Sequence, residues 1–117
     1  MRTKIIATIG PASMKKVKQM CKAGMHIARI NTKYGKTKEY EKIVSDLRKT
    51  KCKIMFDIKG PMHIEWLKKK DFDFIAVSFA QTAKQIREIR KAFSPRRIRI
   101  ISKIENRKGF HNLAELI

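Results

Sequence analysis

Short runs of β-branched and apolar residues alternate along the chain with stretches whose apolar positions recur every three or four residues. Residues 4–9 (KIIATI) read as a first strand, ended by Gly10-Pro11. Ser13 is placed to cap a helix with Met14, Val17, Met20 and Cys21 on its apolar face and Gly24 beyond its end. Residues 26–30 make a second strand. A helix follows over residues 37 to about 50, with Tyr40, Ile43, Val44 and Leu47 spaced i, i+3, i+4, i+7. The third strand is residues 53–58, stopped by Gly60-Pro61. A short helical stretch over 65–70 leads to a fourth strand over 72–79. Ala83, Ile86, Ile89 and Phe93 line the next helix, which Ser94-Pro95 ends. Residues 97–104 form a fifth strand, and 110–117 a final helix.

Strands alternating with helices predict right-handed βαβ units and a parallel sheet. No linker, low-complexity stretch or solenoid repeat divides the chain, so residues 1–117 read as a single α/β domain. A hydrophobic content of 43% excludes a disordered tail, and no apolar run is long enough to span a membrane. The first residues, Met1-Arg2-Thr3-Lys4, enter strand-like sequence without the apolar core of a secretory signal, which points to the cytoplasm and leaves a removed organellar presequence open. Cys21 and Cys52 lack metal-ligand spacing and read as free, buried thiols in a reducing compartment.

Charge changes the picture. Lys and Arg total 29 against 10 Asp and Glu, a formal net charge of +19. A lysine-rich proteome would also raise the count, but Glu would then rise with it, and here it does not. A field of this kind attracts polyanions, of which RNA or DNA is the commonest. The candidate contacts are Lys15, Lys16 and Lys18; Lys68, Lys69 and Lys70; Arg96, Arg97 and Arg99; and Arg107 and Lys108. Taken singly, each cluster also reads as a solvated helix or loop face. No RNA-binding module signature accompanies them, so recognition would rest on phosphate contacts and shape.

A second set of polar residues gathers where the strands end: Arg29 and Asn31, Asp57 and Lys59, Ser78, then Lys103, Glu105 and Asn106. In (β/α) barrels the C-terminal strand ends build the active site. Arg and Lys suit phosphate there, and Asp and Glu suit a hard cation. The competing reading is that each side chain satisfies its own strand end.

The motifs carrying these residues resemble pyruvate kinase. Residues 3–13 (TKIIATIGPAS) are similar to the family's opening strand and turn, and residues 23–31 (AGMHIARIN) to its second strand. Residues 57–61 (DIKGP), 73–79 (DFIAVSF) and 102–106 (SKIEN) follow in the family's order. The resemblance implies an incomplete (β/α) barrel of about five parallel strands, truncated from a (β/α)₈ parent with a lid domain inserted after its third strand. It further implies transfer of a phosphoryl group from phosphoenolpyruvate to ADP with Mg²⁺ and K⁺. Arg29 would contact the phosphoryl group, Asn31 and Asp57 would hold K⁺, Lys103 would stabilise the transition state, and Glu105 would ligate Mg²⁺.

Several positions depart from the family pattern. Lys33 stands where the family has a serine that binds the monovalent cation; its ammonium would either substitute for K⁺ or abolish that site. Met62, His63 and Ile64 occupy the stretch where the family carries a functional arginine, and the fourth strand follows Pro61 too soon for a lid domain. The family's second carboxylate for Mg²⁺ has no counterpart here.

Two functions are therefore expected to compete. One is an RNA-binding half-barrel, inactive alone and associated with a ribosome or other ribonucleoprotein. The other is the N-terminal piece of a split pyruvate kinase. Five strands would leave two exposed sheet edges, so a covering partner (RNA, a second protein or a second copy) is expected, with a marginal fold in its absence.

Overall fold

The computed structural model describes residues 3–117; Met1 and Arg2, part of the stretch read for a leader, lie outside them. The chain forms β1 (Ile6–Thr8), α1 (Val17–Lys22), β2 (Ile27–Asn31), α2 (Thr37–Leu47), β3 (Lys53–Ile58), α3 (Ile64–Leu67), β4 (Phe74–Val77), α4 (Ala83–Phe93), β5 (Arg99–Ser102), α5 (Arg107–His111) and α6 (Leu113–Leu116). The five strands make one sheet in the order β1-β2-β3-β4-β5, every neighbouring pair parallel. This is an open segment of a (β/α) barrel, as the alternating pattern predicts.

Strand parity explains the layers. Ala28 and Ile30 of β2, Ile54, Phe56 and Ile58 of β3, and Ile75 and Val77 of β4 join one buried cluster with helix residues Val17, Tyr40, Ile43, Leu47, Leu67, Ile89 and Phe93. Residues of opposite parity turn to the other face of the sheet, where no helix covers them. Across it the register aligns Ile6 with Ile27, Arg29 with Met55, Asp57 with Ala76 and Phe74 with Arg99. The radius of gyration is 14.6 Å, against about 13 Å for a compact domain of this length, as an unclosed sheet requires. The expected edges are real: β1 pairs only with β2, and β5 only with β4, and Ile5 and Ile6 are half exposed beside the first edge.

Several elements are shorter or shifted relative to the periodicity. Ser13 does not cap α1, whose first residue is Val17; its hydroxyl accepts the Gly10 amide and closes the turn after β1. Helix α2 stops at Leu47 because Thr50 turns its hydroxyl onto the Leu47 carbonyl and the chain leaves the helix there. Helix α3 begins at Ile64, ahead of the expected 65–70, after His63 in the left-handed conformation. The last helical region starts early, because the Asn106 side chain accepts the Gly109 amide and caps α5.

The cysteines require a correction. Cys21 of α1 and Cys52, just before β3, are not free thiols; they form a disulfide with Cα atoms 6.1 Å apart. The approach of α1 to the α2–β3 turn brings together residues 31 positions apart, a pairing that spacing alone does not reveal.

Candidate functional site

Every strand of the sheet points its C-terminal end the same way, so side chains distant in sequence converge at one rim. Asp57 sits at the centre, 1% exposed. Its Oδ1 accepts the Ser78 hydroxyl at 2.7 Å. Its Oδ2 lies 2.7 Å from both Nε and an Nη of Arg29, and 2.8 Å from Lys103 Nζ. Arg29 also donates to the Thr8 hydroxyl at 2.8 Å, and Lys103 to Ser78 Oγ at 3.3 Å. Glu105 borders this cluster: one oxygen lies 3.3 Å from Lys103 Nζ, and the other accepts the Phe79 amide at 2.8 Å.

Electrostatics follow from the packing. Burial alone would push the Asp57 carboxyl up, but hydrogen bonds from Lys103, Ser78 and Arg29, with the charge of Arg29, outweigh it and hold the group below the usual carboxylate range. Asp57 is therefore an anion that fixes two cations in place. The backbone beside it is also constrained. Phe79 takes φ of 51°, in the left-handed region that a bulky residue seldom occupies, and so presents its amide to Glu105.

The expected catalytic set thus comes together: Arg29, Asp57, Lys103 and Glu105 share one cluster, and Asn31 pairs with Asp57 in the strand register. Thr8 and Ser78 join it as hydroxyl partners. Ser78 is among the strand-end residues expected from the sequence; Thr8 is not, although it lies two residues from Ile6 on the same face of β1. Thr32 supports the same rim from below, its buried hydroxyl donating to the Asp57 carbonyl.

The residues expected to hold K⁺ are Asn31 and Asp57, and the one expected to hold Mg²⁺ is Glu105. Asp57 Oδ2 is shared by Arg29 and Lys103, while Asp57 Oδ1 and Asn31 Oδ1 each accept a single donor, the Ser78 hydroxyl and the Lys33 amide. Among the described residues no three His, Cys, Asp or Glu side chains gather as a metal site, so Mg²⁺ held by Glu105 would complete its shell with waters or phosphate oxygens.

The basic candidates do not converge. Lys15, Lys16 and Lys18 lie at the start of α1, and Arg107 and Lys108 in α5, all exposed. Lys68 pairs with Glu65 and Lys70 with Glu41, while Lys69 is exposed. Arg96 serves the fold: its guanidinium lies 4.1 Å from the Phe72 ring and donates to the carbonyls of Lys68 and Lys70. Arg97 is exposed, and Arg99 lies over the Phe74 ring.

An open parallel (β/α) sheet with Arg29 and Lys103 gathered at its C-terminal strand ends defines a segment of a (β/α) barrel domain. The family model for the barrel domain of pyruvate kinase matches residues 1–66 and 59–117, and the chain belongs to that family. The two matches meet around residues 59–66, where the sequence lacks an inserted domain. Pyruvate kinase of Thermococcus litoralis is 53% identical over 49 residues, covering 40% of this chain and 10% of the relative. The enzyme of Thermoplasma acidophilum is 43% identical over 65 residues (52% of this chain, 12% of the relative), and that of Bacillus licheniformis 38% over 68 residues (51% and 12%). The chain thus spans about a tenth of the length of these relatives.

Proposed function

We infer that this pyruvate-kinase-derived half-barrel is an RNA-binding protein that performs no phosphoryl transfer by itself, and that it works within a ribonucleoprotein in the cytoplasm. One observation carries the reading: the positive charge is not neutralised from within. Eight of the ten acids pair with only eight basic side chains among the described residues, so most of the 29 lysines and arginines have no carboxylate within reach. Lys15, Lys16, Lys18, Lys69, Arg97, Arg107 and Lys108 are exposed and open to phosphates. The locked Arg29–Asp57–Lys103 cluster, Lys33 and the missing arginine after Pro61 all argue against catalysis by this chain.

Fluorescence anisotropy with a labelled RNA across a salt series tests the reading. Binding should be micromolar or tighter at low salt, with log K falling against log salt by about 0.7 to 0.9 for each phosphate neutralised. Flat salt dependence, or no binding at low salt, refutes it.

A second reading has its own support. Arg29, Lys103 and Glu105 stand together at the strand ends, as a split pyruvate kinase would need. Further segments would then supply the remaining carboxylate and complete the Mg²⁺ and K⁺ sites. ATP formed from phosphoenolpyruvate and ADP by the wild-type chain, and lost in Lys103→Ala, would restore the enzyme.

A further inference from the structure

At the opposite rim, where the strands begin, lies a cleft of about 580 Å³. Cations reach it from separate parts of the chain: Lys4 just before β1, Lys18 and Lys22 from α1, Lys49 and Lys51 from the turn after α2, and Lys53 and Arg99 from the first residues of β3 and β5. All seven are exposed, and among the described residues only Lys53 of these has a carboxylate within 4 Å, Asp73 at 3.8 Å. No acid lines the cleft. Seven cations held this closely repel one another and raise the local concentration of any polyanion.

The floor differs from the rim. It is built from Met25, Ile27 and Phe74, with the Arg99 guanidinium 5.8 Å from the centre of the Phe74 ring. A duplex presents phosphates outward and keeps its bases stacked inside, so an apolar floor beneath a lysine rim has nothing to match on it. A single strand offers both surfaces at once: phosphates for the ammonium groups, and unstacked bases for an aromatic or guanidinium plane.

We propose that this cleft is the RNA site, and that its ligand is a single-stranded segment with phosphates on Lys18, Lys22, Lys49 and Lys51 and a base stacked on the Arg99–Phe74 pair. The proposal rests on the RNA-binding reading above and gives it an address. Of the basic clusters in the sequence, Lys18, Arg99 and the run over residues 48–53 contribute to the cleft.

The test uses a fluorescein-labelled ten-nucleotide single-stranded RNA and the full chain. Lys18, Lys22, Lys49 and Lys51 are changed together to Gln, which keeps a polar side chain and removes the charges. A control changes the exposed Lys38, Lys69, Lys91 and Lys108 to Gln, for the same loss of net charge. With four single-strand phosphate contacts removed, the cleft variant should lose about three from the log–log salt slope and on the order of a hundredfold in affinity near 0.1 M salt. The control should lose severalfold. Phe74→Leu should cost on the order of tenfold with an unchanged salt slope, since stacking carries no counterions. A duplex of the same sequence should bind more weakly than the single strand.

Equal losses in cleft and control variants, or tighter binding of the duplex, overturn the cleft while leaving general RNA binding in place. Absence of any binding by the wild-type chain at low salt removes both.

Discussion

Replacing Asp57 by Asn keeps the shape of the most buried acid in the protein and removes its charge. In the wild type, the carboxylate satisfies Arg29 and Lys103 on one oxygen and Ser78 on the other. The amide has one acceptor for three donors, and its own NH₂ meets groups that also donate. Breaking a buried ion pair from one side costs about 3–5 kcal/mol when the partners stay buried. Here Arg29 and Lys103 keep 27% and 26% of their side chains exposed and can recover some hydration. The expected loss is therefore about 2–3 kcal/mol. For a domain of this length, unfolding entropy converts each kcal/mol into roughly 4 °C, which predicts a Tm about 8–12 °C lower at pH 7.

The acid limb supplies a control. Asp57 has a folded pKa below its unfolded value of about 3.9, so its contribution is present above that value and is lost as pH falls through the folded pKa. The difference between wild type and Asp57→Asn should thus stay constant from neutrality into mild acid and close only below about pH 4. Thermal melts by circular dichroism across pH measure both quantities. A variant melting within about 2 °C of wild type at pH 7, or a gap that persists at the lowest pH at which both fold, would refute the account of Asp57 as the anion that organises the rim.

Three further outcomes are expected. Leu47→Ala, at a fully buried position facing the sheet from α2, should cost about 2–5 kcal/mol in denaturant unfolding, by leaving a cavity in the core. Gly109→Ala should destabilise by about 1–3 kcal/mol, because a Cβ there meets the Ala80 carbonyl and forces α5 away from the loop after β4; an unchanged melting midpoint would contradict that packing. Arg96→Ala should lose about 2 kcal/mol through the Phe72 stack and the hydrogen bonds to the Lys68 and Lys70 carbonyls. Its RNA affinity should fall no further than that of a single exposed-lysine change, as measured by melts and anisotropy together.

Much of the architecture was legible because parallel βαβ units write two periods into the chain. Residues 53–58 and 74–77 are apolar enough to read as strands buried on one or both faces, and Tyr40, Ile43 and Leu47 mark the buried stripe of α2. The ends were less legible, since they depend on single hydrogen bonds. The Ser13 hydroxyl serves Gly10 instead of a helix, and Asn106 starts α5 earlier than its apolar residues suggest. Those bonds depend on where the chain turns, which hydrophobic spacing does not encode.

By itself the sequence determined the strand and helix order, the family, the net charge and the charged residues at the strand ends, because each is a property of residue type and local order. Only the tertiary structure decided how those residues are used. It spent the Asp57 carboxylate on Arg29, Lys103 and Ser78, turned Arg96 into a support for Phe72, and joined Cys21 to Cys52. It also gathered Lys18, Lys22, Lys49 and Lys51 around one cleft, although they come from separate connections. The physical reason is the same in each case. A charge or a thiol acts over a few ångströms, and the neighbours within that distance are set by the parallel register and by the crossovers that bring one rim, and then the other, together.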